Sequence, residues 1–321
     1  MKILVTGSEG SLMQEVIPLL MQQGHTVIGV DNFARYGEIE RERKYEFIRG
    51  DLTDPAFVDE VVRDVDAVMQ AAALIYGVGG FNKYPADILS KDINLHQNIM
   101  QAMLKNGIKK MVYISSSMVY ERCIKHPSKE EDVDESLIPS TDYGLSKLVG
   151  ERITRAFHRQ YGIDFTIWRP FNIITPHEVG ESDLGLSHVF ADYIKNIVKE
   201  QRTEIPIIGD GEQIRCFTWI GDVARGIAEF SFDERAANQT FNLGNPEPIS
   251  MKQLASIIYE QASEKELING NGNGLTFKTE KSFPDDVRIR IPDVNKAKEV
   301  LGWEPTLKVA ESVERCLDQM V

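Results

Sequence analysis

The chain has 321 residues, 42% hydrophobic and 26% charged, with a formal net charge of -13, a length that suits one large α/β domain or two lobes. That acidity excludes nucleic acid and anionic membranes as general partners, because both need a basic face, and no apolar run approaches the roughly 18 residues of a membrane span. The three cysteines, Cys123, Cys216 and Cys316, form no CxxC pair and the six histidines lack metal-ligand spacing, so neither a disulfide nor a metal is expected and the chain reads as cytoplasmic.

The first element is the apolar strand KILVT, residues 2–6, which runs into Gly7 and Gly10 and then into the helical pattern MQEVIPLLMQQG, ending at Gly24. A strand, a glycine turn and a helix N-terminus make an anion site. Gly7 forms the tight turn, Gly10 lets the backbone approach a pyrophosphate, and the amides of Ser11 and Leu12 point at it. The third glycine of the usual dinucleotide fingerprint is Met13 here, which demands extra volume between helix and strand but leaves the phosphate contacts in place. The second strand, TVIGVD, closes on Asp31, about 20 residues after the loop, where a carboxylate accepts from an adenosine ribose and repels a 2′-phosphate. This favours NAD over NADP. Asp51 in RGDLTD follows a third apolar edge, placed either to approach the adenine or to cap a helix.

AVMQAAA and KMVYISSS are further strands, separated by the amphipathic DINLHQNIMQAMLKNG, which ends at Gly107. Ser116 stands just past the second of them, at the C-terminal sheet edge where α/β proteins place their sites. In STDYGLSKLVGER, Tyr143 and Lys147 are four apart and share a helix face. An ammonium there lowers the phenol pKa toward neutrality, so that the phenolate takes a hydroxyl proton while hydride leaves for a nicotinamide. FTIWRPFN ends the alternation, which predicts an α/β fold with a Rossmann-type doubly wound parallel sheet over residues 1–168. From 169 to 321 the pattern loosens into a smaller α+β lobe with some strand exchange, and NGNGNG at 269–274, with no helix after it, reads as a turn.

These motifs, followed in order by RPFNIITP, GDGEQIRCFTWIGDVARGI, FNLGNPEPIS and PDVNKAKEVLGWEP, resemble the extended short-chain dehydrogenase/reductases, and among them the NAD-dependent nucleotide-sugar epimerase/dehydratase family. The resemblance covers nearly the whole chain. It implies NAD in the first lobe, a nucleoside diphosphate sugar gripped by the second, and a homodimer built through two helices, one of them bearing Tyr143. It implies Tyr143 as the base, Lys147 as its partner and a ligand of the nicotinamide ribose, and Ser116 as the group that orients the reacting hydroxyl. Cofactor contacts are implied for Gly7, Gly10, Ser11, Leu12, Asp31, Asn32, Asp51, Leu52, Ala71, Ala72 and Ala73. Substrate contacts are implied for Gly80, Ser117, Met118, Asn172, Arg215 and Arg288, the last three toward the diphosphate-sugar.

Family members that remove water across C5 and C6 resemble one another in an Asp-Glu pair just after the Ser or Thr. Here those positions hold Ser117 and Met118, neither of which shuttles a proton at neutral pH. The expected reaction is therefore 4-epimerisation through a transient 4-keto sugar. Two alternatives stay open. YGVGGFNKY and DDVRIRIPD are similar to GDP-mannose 3,5-epimerases, with Arg288 and Arg290 as the paired arginines, although the cysteine of those enzymes falls on Met118 and their lysine near Ser187 or His188. Departures near the cofactor, at Met69-Gln70, at Asp92 in place of an Asn and at Tyr120-Glu121, leave room for a simple 4-dehydrogenase. A non-catalytic dinucleotide-binding regulator is the reading of another class; Ser116, Tyr143 and Lys147 in register speak against it.

Overall fold

The computed structural model describes the chain apart from residues 36, 39, 270–273, 284, 285 and 321, so the middle of NGNGNG lies outside the described residues. Strands β1 (Lys2–Thr6), β2 (Thr26–Asp31), β3 (Glu46–Arg49), β4 (Ala67–Gln70), β5 (Lys110–Ile114) and β6 (Asp164–Pro170) are interleaved with helices α1 (Ser11–Gln22), α2 (Pro55–Val61), α3 (Val78–Lys83), α4 (Pro85–Asn106), α5 (Asp132–Glu135) and α6 (Asp142–Tyr161). Then follow β7 (Ile173–Ile174), α7 (Val189–Tyr193) running into a π-helical stretch at Ile194–Lys199, β8 (Glu204–Ile208), β9 (Ile214–Cys216), β10 (Thr218–Trp219) and α8 (Ile220–Phe230). The chain ends with β11 (Gln239–Leu243), β12 (Pro248–Ser250), α9 (Met251–Glu264), β13 (Thr276–Glu280) and α10 (Val309–Asp318).

Seven strands form one parallel sheet in the order β11-β6-β5-β4-β1-β2-β3, the doubly wound Rossmann-type arrangement. Its strands are apolar on both faces because helices cover both. Ile3 and Val5 of β1, Met69, Val112, Ile114, Trp168 and Phe241 face α1 and α8, while Leu4, Val68, Met111, Tyr113 and Ile167 face α2 and α4. The period of two within each strand thus decides which layer a residue serves. β11 and α8 both lie past residue 169, yet one extends the sheet and the other covers it. A second core, with Ile174, Phe190, Tyr193, Leu254, Ile258, Val309 and Val313 in it, belongs to the C-terminal lobe.

The chain order of the sheet reverses between β1 and β4, and a crevice opens there above the strands' C-terminal ends. Gly7 occupies that point at φ +65, and a Cβ on it would stand 2.8 Å from the Cα and N of Ala72, so only glycine fits. Met13 is 1% exposed and packs into the α1–α8 layer; the volume it needs is part of the core. Among the described residues no helix is long and apolar enough to cross a membrane.

Candidate active site

Two cavities, of about 300 and 290 Å³, meet at the crevice and share Ser11, Ile75, Glu178 and His188 as common wall. The first lies over the β1–α1 turn and is lined by Gly7, Gly10, Ser11, Asp31, Asn32, Asp51, Leu52, Ala71, Ala72 and Ala73. Gly10 gives α1 no side-chain cap, so the first-turn amides are left for a ligand. Leu12 borders the second cavity instead. Each Asp31 oxygen accepts one backbone amide, from Glu9 at 3.1 Å and from Phe33 at 2.8 Å, and keeps a lone pair for a hydroxyl donor.

The sequence puts no basic residue next to Asp31, but the fold brings Arg35 to the same cavity. Its guanidinium donates to the carbonyls of Ile75 at 2.6 Å and Leu186 at 3.1 Å, pairs with Glu181 and lies 4.3 Å from the Tyr76 ring centre. Arg35 therefore ties the Asp31 side of the cavity to two loops above it. Those loops also hold each other: Gly77 N–H donates to Leu186 at 2.7 Å and Gly79 N–H to Gly185 at 2.8 Å.

The second cavity is built around Tyr143, in the first turn of α6. Thr141 caps that helix by accepting the Gly144 amide at 3.1 Å, and Phe81 stacks on the Tyr143 ring with centroids 4.7 Å apart. The Met118 amide donates to Ser116 Oγ at 3.1 Å, and Ser116 lines the cavity together with Tyr143. Lys147, one turn on, is buried; its Nζ donates to the Ile114 carbonyl at 3.0 Å and stands 5.8 Å from the Tyr143 ring centre. It backs the phenol from within the protein and does not line the cavity.

The electrostatics differ from the sequence expectation of a lowered phenol pKa. Burial pushes Tyr143 above the usual phenol range and Asp92 adds to it, while Ser116 and Arg290 oppose. Burial also lowers Lys147, held up by Asp92 and Glu151. Asp92 is the residue the sequence marks as a departure from Asn. It is buried on α4, accepts the Leu74 amide at 2.9 Å and the Ser146 hydroxyl at 3.2 Å, and so joins a cofactor-side loop to α6. Deeper still, Arg169 and Glu151 form a bidentate buried pair at 2.8 and 2.6 Å, and Glu151 accepts from Ser115 at 2.7 Å. This network fixes the strand end that carries Ser116 against the helix that carries Tyr143.

Ser116, Ser117, Met118, Asn172 and Arg215 all line the second cavity. Asn172 donates to the Cys216 carbonyl at 2.9 Å and accepts from Arg290 at 2.8 Å. Arg215 pairs with Asp286 at 3.2 Å; burial and the neighbouring Arg290 hold its pKa down at about 9. Two expected residues are not brought here. Arg288 is exposed and bound to Asp210 at 2.7 and 2.9 Å, and Gly80 is buried in α3 against Tyr76, with Gly77 forming the wall instead.

The sequence reading leaves out Arg290 as a contact, and it also misses Glu178 with His188. His188 Nδ1 lies 2.9 Å from both Glu178 oxygens. Burial alone would lower the histidine, but Glu178 outweighs it and raises the pKa. Asp192, in the same wall, is pushed up to about 6 by burial. Among the described residues no group of three or more His, Cys, Asp or Glu is placed to hold a metal ion.

Residues 3–244 match the profile of the NAD dependent epimerase/dehydratase family. The chain belongs to this family. It is 29% identical to UDP-glucuronate 4-epimerase of Thermodesulfobacterium geofontis, over 98% of this chain and 94% of that one. Among solved structures it is similar to UDP-glucose 4-epimerase of Thermotoga maritima with UDP-glucose, at 27% identity and a TM-score of 0.84 over 99% of this chain and 98% of that one. It is similar as well to UDP-glucuronic acid 4-epimerase of Bacillus cereus in complex with UDP-glucuronic acid and NAD, at 26% identity and 0.83 over 100% and 99%.

Proposed function

We propose that the protein is an NAD-dependent nucleotide-sugar 4-epimerase, and the observation that carries this is that Ser116 and Tyr143 together line a cavity that adjoins the dinucleotide cradle. The cradle fits the cofactor: Gly7 leaves no room for a Cβ beside Ala72, α1 is uncapped, and Asp31 retains acceptor capacity. NAD bound there supplies the hydride acceptor and donor.

Tyr143 is then the group that takes the proton of the C4 hydroxyl, with Ser116 orienting that hydroxyl. Lys147, an ammonium behind the ring, favours the phenolate once formed. Arg215 and Asn172 supply cation and amide toward the diphosphate. After the 4-keto sugar turns, Tyr143 returns the proton to C4 oxygen. Ser117 and Met118 add no acid or base at this end, which supports epimerisation over 4,6-dehydration. The names of the relatives support a UDP-sugar. A homodimer joined through α4 and α6, in the cytoplasm, is part of the same reading.

A second reading, proton exchange at the carbons beside the ketone, is favoured by His188 with Glu178 in the cavity wall. One experiment separates the two: product analysis by NMR in deuterated water with UDP-sugars. A 4-epimer free of solvent deuterium is expected. Deuterium at C3 or C5 overturns 4-epimerisation alone, and a 4-keto-6-deoxy product contradicts the role given to Ser117 and Met118.

A further inference from the structure

The glycine turn of the cofactor cradle carries an acid, Glu9, between Gly7 and Gly10. Its amide donates to Asp31 at 3.1 Å, and the residue lines the cofactor cavity beside Asp31. The carboxylate itself is only 6% exposed, pairs with Arg41 at 3.0 Å and Arg43 at 3.1 Å, and accepts from the Tyr45 hydroxyl. Burial alone would raise this carboxyl, but Arg43, Tyr45 and Arg41 outweigh it and hold the pKa below the ordinary range. Glu9 is thus an anion occupied by two cations.

Those cations belong to the segment that follows Asp31 and returns to the sheet at β3. Arg41 also donates to the Ser8 carbonyl of the glycine turn at 3.3 Å. Arg43 lies 4.6 Å from the ring centre of Phe47 and 5.6 Å from that of Phe33, a residue of the cavity wall. Neither Arg41 nor Arg43 lines the cavity. Arg35, which does, pairs with Glu181, and Arg49, opposite Asp31 in the β2–β3 ladder, pairs with Glu38 at 2.9 Å. Four arginines therefore gather around the Asp31 end of the cradle, and each has a carboxylate of the protein as its partner.

We infer that Glu9 is a specificity-determining residue for the cofactor: by holding Arg41 and Arg43 it denies a 2′-phosphate the cations that would receive it, and so closes a concealed NADP site. The inference rests on the adenosine ribose meeting Asp31, as proposed above. Asp31 repels a 2′-phosphate directly, yet such a phosphate is accommodated where an arginine stands nearby. Its oxygens need the forked donors of a guanidinium. Here the forks are present and already engaged. An amide in place of the Glu9 carboxylate keeps its volume and still accepts from Tyr45, but it adds one positive charge to the cluster and releases both guanidinium groups toward the ribose.

The test is calorimetric titration of the full chain, stripped of dinucleotide, with NAD and with NADP. It compares the native protein, Glu9→Gln, and Glu9→Gln combined with Arg41→Gln and Arg43→Gln. Glu9→Gln should bind NADP on the order of 10- to 100-fold tighter than the native chain does, with NAD within about threefold. The gain should shrink at about 0.5 M salt and vanish in the triple variant. Unchanged NADP affinity in Glu9→Gln overturns the inference and leaves Asp31 as the sole discriminator. So does an equal loss of both dinucleotides, which makes Glu9 a brace of the glycine turn, and so does a gain that survives in the triple variant. If Glu9→Gln does not fold, Glu9→Ser removes the carboxylate with less bulk; failure of both to fold assigns Glu9 to stability and overturns the claim. If the native chain binds neither dinucleotide, the cradle reading itself fails and the inference with it.

Discussion

Tyr143 sits between opposed charges, and that balance governs when it can act. Its ring is buried, Asp92 disfavours the phenolate, and Ser116 and Arg290 favour it. Replacing Tyr143 by Phe keeps the ring and its stack on Phe81, so nucleotide-sugar affinity should hold while kcat falls by ~10²–10⁴, the usual range for a lost acid–base group. Steady-state kinetics beside calorimetry checks this. Asp92→Asn removes a negative charge near the phenol and keeps acceptor capacity toward the Leu74 amide and Ser146. The rising limb of the pH–rate profile should move to lower pH, a change that a packing role alone does not produce. At this scale, contiguous signals were legible: Gly7 with Gly10, and Tyr143 four residues from Lys147, are set by local backbone geometry. Arg288 and Arg290 were not separable in the same way. Their segment lies outside the named strands and meets Ile214 only as an isolated bridge at Ile289, with no ladder whose period sorts its side chains by face. Glu178 and His188 are ten residues apart in irregular backbone, and no periodicity joins them.

The elements carry a second lesson in α1. Met13 breaks the dinucleotide fingerprint in the sequence, yet it lies among Val16, Ile17, Trp168 and Ile227 of the core layer and borders neither cavity. Met13→Gly, which restores the motif, should lower unfolding stability by about 3–6 kcal/mol, from core truncation together with a glycine inside a helix. NAD affinity of the folded variant should stay within about threefold, a difference of less than 1 kcal/mol. Urea melts and NAD titration measure the two separately. Strands β1, β2, β4, β5 and β6 were readable because each is a short apolar run, and the sheet followed from their alternation with helices. The return of the chain to the sheet edge at β11 depends on contacts with β6 across many residues, which local pattern does not encode.

For the molecule as a whole, titration acts in two directions. His188 has a raised folded pKa, because Glu178 outweighs burial, so its contribution is fully present below the unfolded value and is lost as pH rises through the folded one. Asp192, raised to about 6 by burial, behaves the same way. Glu151 and Glu178 are depressed, burial being outweighed by Arg169 and His188 respectively; they stabilise above the ordinary carboxylate range and lose this as pH falls through it. Self-repulsion at net -13 also eases toward the isoelectric region. Melting temperature should therefore rise from about pH 8 to about pH 6 and drop below about pH 4.5, as scanning calorimetry across that range can show. The Arg35 clasp adds a thermodynamic constraint. One guanidinium lining the cofactor cavity holds both the Ile75 and the Leu186 loops that meet above the crevice, so ligand binding in one cavity is expected to be coupled to binding in the other. Reciprocity then fixes a number: the factor by which nucleotide sugar tightens NAD must equal the factor by which NAD tightens nucleotide sugar. That common factor should exceed one in the native enzyme and fall toward one in Arg35→Ala, even if each separate affinity changes by a different amount.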